Sequence, residues 1–256
     1  PRPFKPGANT KAAGTAAPFN DPNFSNQWDL LSTEKGKPVA TSVPGADVNV
    51  VDAWNLTAGD PSIIVAVVDE GVDYTHPDLK ANMWTNPKET KNGKDSDGNG
   101  YVDDIHGYNF NQKQGELTWN TVSKNTTYSD SGHGTHVAGT IAAVNNNGTG
   151  VCGIAGGTGN NDGVKIMSCQ IFSGGEGCAT EDVAAAIKYA ADNGASILQC
   201  SWGVTAGYYR NDDSYYRAAG VEVDAIRYFE SMDRKKKGLD NPINGGVAIF
   251  AGGNEN

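Results

Sequence analysis

Short apolar runs are the strongest pattern along the chain. Residues 63–68 form the longest uninterrupted run, and most of them are β-branched. Three similar segments follow at 164–172, 195–200 and 246–252. A strand that is apolar on both faces is typical of a parallel sheet covered by helices on each side. The pattern therefore predicts four buried strands.

Residues 180–193, between the second and third runs, have the pattern of a helix. The segment begins with a polar cap and an acidic first turn, and Gly194 stops it. Strand, helix and strand joined by short connections form a βαβ unit, so we expect an α/β fold. Weaker helical patterns occur within 47–58, with Trp54 and Leu56 as apolar anchors, and at 222–232.

The patterning also divides the chain into regions. Residues 1–18 are rich in Pro, Gly, Ala and Lys and have no periodicity, so they predict an extended arm or a processed linker. Residues 19–256 form the folded domain. Within it, the polar segments 83–128 and 204–244 interrupt the α/β pattern, and we expect both to be surface insertions.

Composition narrows the class of protein. There are 30 acidic and 20 basic residues among 256, a formal net charge of −10, and the only basic cluster is 234–237. These features argue against nucleic-acid binding, and the apolar runs are too short for a membrane span. Four cysteines at unequal spacings, without a CxxC pair, argue against a zinc site. Their spacing does not decide between free buried thiols and disulfides. The four cysteines are Cys152, Cys169, Cys178 and Cys200.

Three polar residues stand where an α/β enzyme carries its chemistry. Asp69 directly follows the first strand, and functional groups of open α/β sheets lie past the carboxyl ends of strands. His133 has glycine on both sides, which leaves one face of the imidazole open, whereas His136 leads into an apolar segment and is expected to be partly buried. Asn254 follows the last strand, where its amide could donate to an oxyanion.

The segments around these residues resemble the signatures of one family. Residues 68–73 (VDEGVD), 133–139 (HGTHVAG) and 251–254 (AGGN) are similar, in order, to the aspartate, histidine and oxyanion-asparagine motifs of subtilisin-like serine proteases. The resemblance extends from about Asn20 to the last residue. It implies a three-layer α/β fold, in which helices cover both faces of a mostly parallel, twisted sheet.

The resemblance also implies a role for each residue. Asp69 would orient and charge the imidazole, and His133 would act first as general base and then as general acid. Asn254 would stabilise the tetrahedral oxyanion.

The nucleophilic serine motif of the family is absent from this sequence. Ser201 corresponds to a strand that lines the substrate, and Ser131 lies in the loop of His133, so neither replaces it. We therefore expect the chain to be the N-terminal two-thirds of a peptidase domain, with its sheet incomplete at the C-terminal side. Alone it should be inactive, and a further segment that carries the serine would be its partner.

Two segments resemble the walls of the family's substrate cleft. An extended peptide would bind between them by β-augmentation, and side pockets would set the preference. We expect an apolar or aromatic residue before the cleaved bond, with Trp202 in the first pocket unless it is instead a core aromatic. The expected cleft residues are Phe172, Glu176, Gly177, Cys178, Ser201, Trp202 and Gly203.

An acidic segment has the spacing of a calcium loop. Oxygen-bearing side chains alternate around a glycine turn, and this pattern matches the first half of a helix–loop–helix calcium site. His106 occupies the position of the usual bidentate Glu, so Asp103 or Asp104 must close the shell. Hard oxygen ligands favour Ca²⁺, although a merely solvated acidic loop has the same composition. The other expected ligands are Asp95, Asp97, Asn99 and the carbonyl of Tyr101.

The resemblance implies a second calcium site. Residues 144–151 are similar to a family loop that encloses a tightly held calcium ion, although the asparagine run by itself indicates only a turn. The implied ligands are the side chains of Asp21, Asp78 and Asn147 and the carbonyls of Val144, Thr149 and Val151.

Three functions remain in consideration. The first is a calcium-stabilised serine endopeptidase that is secreted, periplasmic or on the cell surface, because such calcium loops fill where calcium is abundant. The second is a non-catalytic pseudoprotease or calcium-bound peptide-binding domain. The third, a metal hydrolase that uses His133 and His136, is the least favoured, because no Glu lies between the two histidines.

Overall fold

A mostly parallel sheet lies at the centre of the computed structural model, which describes residues 18–122, 129–204, 207–233 and 244–254. Its spatial order is β2-β3-β1-β5-β6, and β4 pairs antiparallel with β3. The strands are β1 Ile64–Glu70, β2 Gly107–Asn109, β3 Lys165–Ser173, β4 Glu176–Gly177, β5 Ile197–Cys200 and β6 Val247–Phe250. The helices are α1 Val50–Ala53, α2 His133–Ala142, α3 Thr180–Asp192 and α4 Asp212–Ser231, with 3-10 turns at Phe24–Asn26 and Lys80–Asn82.

Strand β1 shows why the sheet is covered on both faces. Its side chains alternate, so Val65 and Val67 pack with the residues of α2 while Ala66 and Val68 pack with those of α3. Helix α4 lies on the same side as α3 and packs against it. The three-layer α/β fold expected from the sequence is confirmed.

The helix predicted at 180–193 is also confirmed, but the expected polar cap is wrong, because the N-cap residue is Ala179 and no side chain caps the start. It is α3, with Glu181 and Asp182 in its first turn and Gly194, at φ +88°, just past its end. Helix α4 begins ten residues before the predicted 222–232, because Asn211 and Ser214 form a reciprocal capping box at its start.

The interpretation of residues 47–58 was partly wrong. Only Val50–Ala53 is helical, and the Leu56 side chain is 90% exposed rather than an anchor. Trp54 does pack inward, against the rings of Phe19 and Phe24. Residues two apart lie on opposite sides of a helix, and α1 ends at Ala53, so nothing brings Leu56 to the buried face of Trp54.

Both segments expected at the surface contribute to the core. Segment 83–128 supplies β2 to the sheet and buries Tyr108 and Phe110 against α3. Segment 204–244 supplies α4, whose Phe229 is fully buried. Their high polar content had hidden these short apolar stretches. The arm, apart from Pro18, and the basic cluster 234–237 lie outside the described residues.

Strand β6 is an edge of the sheet within the described part of the chain. It pairs with β5, and Val247, Ile249 and Phe250 are each more than 40% exposed. All four cysteines are free thiols, and all but Cys178 are buried, which supports buried thiols over disulfides. In the described ranges, the helices are too short or too polar to cross a bilayer.

Candidate active site

Asp69 lies at the carboxyl end of the central strand. Its side chain is almost fully buried, and its Oδ1 accepts a 2.7 Å hydrogen bond from the backbone N–H of Glu70. Burial raises the pKa of the Asp69 carboxyl, and hydrogen bonding to His133 acts in the opposite direction. Its Oδ2 is buried without a hydrogen-bond partner among the residues described here.

His133 is the first residue of α2, and its ring faces Asp69. Nδ1 of the imidazole lies 2.8 Å from Oδ1 of Asp69, and the His133 side chain is 48% exposed. An ionised carboxylate can only accept, so Nδ1 must carry the proton and Nε2 is left as the basic nitrogen. This pair can therefore take a proton from a neighbouring hydroxyl and hold the resulting imidazolium.

Two glycines allow α2 to begin so close to β1. Gly132, at the N-cap, has φ +75°, a left-handed conformation that favours glycine. A Cβ at Gly134 would lie 2.1 Å from the carbonyl oxygen of Glu70. The HGTH motif thus brings the helix against the end of the strand, and this contact places the imidazole beside Asp69.

Asn254 lies at the same edge of the sheet. It follows β6, and because β1, β5 and β6 run parallel, their carboxyl ends face the same side. The Asn254 side chain is exposed. The structure therefore brings Asp69 and His133 into direct contact. Asn254 follows a parallel strand of the same sheet and so lies at the same edge as Asp69.

The expected cleft segments lie on either side of β1. Strand β4 pairs with β3, with Phe172 opposite Gly177 and Ser173 opposite Glu176. On the other side, residues 201–203 follow β5. Because β3 and β5 are the two neighbours of β1, these segments flank the carboxyl end that carries Asp69.

Trp202 is partly buried and contacts the core. Its indole N–H donates a 2.8 Å hydrogen bond to the carbonyl of Val68, and its ring meets Phe250 edge-on at 5.5 Å. It thus adjoins the residue before Asp69 while packing against the main core. His136, in contrast, is exposed, so the expectation of a partly buried histidine was wrong. It lies on the outer face of α2, in the wall of a cavity of about 570 Å³.

The acidic loop brings three carboxylates together. Oxygens of Glu89, Asp95 and Asp97 lie within 4.8 Å of one another. Asp95 also accepts hydrogen bonds from the N–H groups of Gly98 and Gly100, which fold the loop around it. Sequence reasoning missed Glu89 because it sought the closing ligand after the loop rather than before it.

Asp103 and Asp104 point in different directions. The Asp103 carboxylate accepts from the backbone N–H groups of Asn92 and Gly93. Asp104 is fully buried, and it shares the side-chain amide of Asn99 with Asp97. Burial raises the pKa of the Asp104 carboxyl. Asp104 is therefore the residue nearer to the carboxylate cluster. Tyr101 follows Asn99, whose Oδ1 accepts the Tyr101 N–H.

Asp21 and Asp78 are buried beside the loop 144–151. Asp21 accepts from the N–H of Asn146 at 2.7 Å, and Asp78 accepts from the Asn147 amide at 2.7 Å. Burial raises the pKa of Asp78, and the negative charge of Asp21 adds to the shift. Two buried carboxylates that bind the same loop suit a divalent cation. Other hydrogen bonds also hold this region together. The N–H groups of Val144 and Val151 donate to the carbonyl and the carboxylate of Asp78, respectively. The N–H of Thr149 donates to Oδ1 of Asn147, and the thiol of Cys152 donates to Asp21.

Comparisons with known proteins identify the family that the sequence matches. The sequence model of the subtilase family, peptidase S8, matches residues 60–256. Kexin of Saccharomyces cerevisiae is 34% identical over 193 residues, 75% of this chain and 18% of kexin. Halolysin of Haloferax mediterranei is 34% identical over 184 residues, 72% of this chain and 26% of halolysin. The chain thus spans a minor part of the length of these relatives.

Solved structures support the same fold. The serine protease of Aeromonas sobria aligns with a TM-score of 0.61 and 22% identity over 98% of this chain and 36% of that one. The same protease in complex with the chaperone ORF2 gives a TM-score of 0.62 and 23% identity over 93% and 33%. These likenesses concern the fold, and the match of the family model to residues 60–256 shows that the chain belongs to the subtilase family.

Proposed function

We propose that this chain supplies the acid–base pair and the oxyanion donor of a serine endopeptidase whose nucleophilic serine lies outside it. The 2.8 Å contact between His133 and Asp69 is the observation that carries the proposal. In the reaction, Nε2 of His133 takes the proton of the serine hydroxyl as it attacks the peptide carbonyl, and then gives that proton to the leaving amine. Asp69 holds the imidazole in the required tautomer and stabilises its charged form.

Asn254 is proposed as the oxyanion donor. Its position past β6, at the edge that also carries Asp69, supports this role. A side-chain amide aimed at the developing negative charge stabilises the transition state more than the substrate. Loss of one such donor typically lowers kcat by about 10²–10³-fold.

The substrate is proposed to be an extended peptide. It would lie between β4 and residues 201–203 and form main-chain hydrogen bonds with both. The half-buried Trp202 would form part of the pocket for the residue before the cleaved bond, together with Phe172 farther along the cleft. An apolar or aromatic residue suits such walls.

The partner that carries the serine is proposed to pack beyond β6. The exposed apolar side chains of Val247, Ile249 and Phe250 support this placement, because a strand or helix laid there would bury them. Oδ2 of Asp69, which has no hydrogen-bond partner among the described residues, could also accept from a donor outside them.

Two calcium ions are proposed to stabilise the fold. The first would bind Asp95, Asp97 and Glu89, with Asp104 and Asn99 behind them, and the second would bind Asp21, Asp78 and the loop 144–151. All-oxygen donor sets of this kind suit Ca²⁺. A secreted, periplasmic or cell-surface location follows from this need for calcium, and halolysin and the extracellular serine protease Nep of Natrialba magadii are among the similar proteins.

A fluorophosphonate probe tests the proposal on the complete protein. The probe labels only an activated serine, and intact mass identifies the polypeptide that carries it. We expect one adduct on a segment outside this chain, and none when His133 is replaced by glutamine. An unlabelled, folded and calcium-bound protein would instead favour the non-catalytic peptide-binding domain.

A further inference from the structure

The carboxylate of Glu70 bonds to the backbone at the start of α2. Its Oε2 accepts the N–H of His133 at 2.9 Å and the N–H of Ser131 at 3.1 Å. The Ser131 hydroxyl donates to the same carboxylate, at 3.2 Å from Oε1. Gly132, at the N-cap, has no side chain with which to cap the helix. Glu70 therefore provides from β1 the acceptor that this helix start lacks.

Two consecutive carboxylates of β1 thus hold the same residue at two points. Asp69 binds the ring of His133, and Glu70 binds its backbone N–H. A third contact, from the N–H of Asp73 to the hydroxyl of Thr135 at 2.9 Å, joins the segment just after β1 to α2. A ring bonded only at Nδ1 could still move with the loop before it, and the glycine at the N-cap makes that loop easy to deform.

We propose that Glu70 is a positioning residue for the catalytic histidine. By fixing the backbone of His133, it sets the distance from the imidazole to Asp69 and the direction in which Nε2 points. Its carboxylate bonds to the backbone N–H groups of Ser131 and His133 and to the Ser131 hydroxyl, so we assign its effect to the placement of His133. The inference rests on the proposed function, in which that direction determines the rate of proton transfer.

Glu70→Ala removes the hydrogen bonds from the side chain of residue 70 to the start of α2. Glu70→Gln keeps the size of the side chain and one acceptor oxygen. The first readout is the low-field NMR resonance of the Nδ1 proton of His133, measured on the complete protein. We expect the resonance in the wild type, loss or strong broadening in Glu70→Ala, and a weaker effect in Glu70→Gln. Glu181→Gln is the matched control, because Glu181 is an exposed glutamate in the first turn of another helix.

The second readout is the kinetics of the complete protein. Misplacement of the histidine should lower kcat about tenfold to a hundredfold in Glu70→Ala with little change in KM, and Glu70→Gln should recover part of the loss. An unchanged resonance and an unchanged kcat in folded Glu70→Ala would overturn the proposal. If Glu70→Ala does not fold, the same comparison between Glu70→Gln and Glu181→Gln decides it. Absence of the resonance from the wild type would instead contradict the Asp69–His133 pair, and with it the proposed function.

Discussion

The hydroxyl of Tyr189 donates a 2.7 Å hydrogen bond to the buried carboxylate of Asp104. Tyr189 lies in α3 and is almost fully buried, while Asp104 ends the acidic loop. The loop is therefore attached to the helix layer of the core, and its carboxylates are held in place before any cation arrives. Prior fixation of ligands in this way lowers the entropy lost on binding.

Tyr189→Phe should weaken both the fold and the loop. The variant keeps the ring but leaves the Asp104 carboxylate without one of its donors, which should cost about 1–3 kcal/mol of unfolding free energy. Urea denaturation measures the loss, and calorimetric titration with Ca²⁺ should show weaker binding. Tyr208→Phe, at an exposed tyrosine, is the control. If Tyr189→Phe matches the wild type in stability and in calcium affinity, the Tyr189–Asp104 hydrogen bond does not hold the loop in place.

Glu89→Gln should reduce the thermal midpoint only when calcium is present. The substitution removes one negatively charged ligand from the proposed calcium site. Without calcium, the thermal midpoint should therefore change little. The measurement is thermal unfolding in excess Ca²⁺ and in EGTA. Asp52→Asn, at an exposed residue of α1, serves as control. A midpoint equal to that of the wild type in Ca²⁺ would remove Glu89 from the ligand set.

Glu222→Gln should stabilise the protein at neutral pH. Burial raises the pKa of the Glu222 carboxyl above its ordinary value of 4.5, and the hydrogen bond from the Tyr215 hydroxyl acts in the opposite direction. Cys200 of β5 is a further titratable neighbour of this carboxyl. Because the pKa of Glu222 is higher in the folded state, its contribution to the free energy of unfolding is complete below its ordinary pKa. That contribution is lost as the pH rises through the folded-state pKa. A neutral glutamine avoids that loss and can still accept from Tyr215.

Urea unfolding at pH 4 and pH 7 measures this difference. Glu222→Gln should match the wild type at the lower pH and exceed it at the higher one. Glu230→Gln, at an exposed glutamate of the same helix, should show no such divergence. A constant difference at both pH values would mean that the titration of Glu222 is not the cause.

Asp69→Asn should lower kcat of the complete protein by about 10⁴-fold with little change in KM. The amide cannot stabilise the imidazolium, and its N–H₂ group favours the wrong tautomer of His133. Steady-state kinetics on a peptide substrate measure the effect, and Asp52→Asn again gives the reference. A loss of less than tenfold would refute the role assigned to Asp69.

Much of the fold could be predicted because its signals are local. The apolar run at 63–68 and the segment 180–193, with its acidic first turn, each specify an element from neighbouring residues, and both occur close to the predicted bounds. Strand β2 was missed because three residues within a polar segment are too few to show a pattern. They become a strand only through their pairing with β3.

The sequence by itself determined the family, the α/β class and the identity of Asp69 and His133, because short motifs and strand patterns are written in adjacent residues. Tertiary structure decided which distant groups meet. It selected Glu89 as a neighbour of Asp95, separated Asp103 from Asp104, and directed the carboxylate of Glu70 to the backbone of His133. These contacts depend on the docking of α2 and the acidic loop against the sheet, and side-chain direction across such distances is set by packing rather than by spacing along the chain.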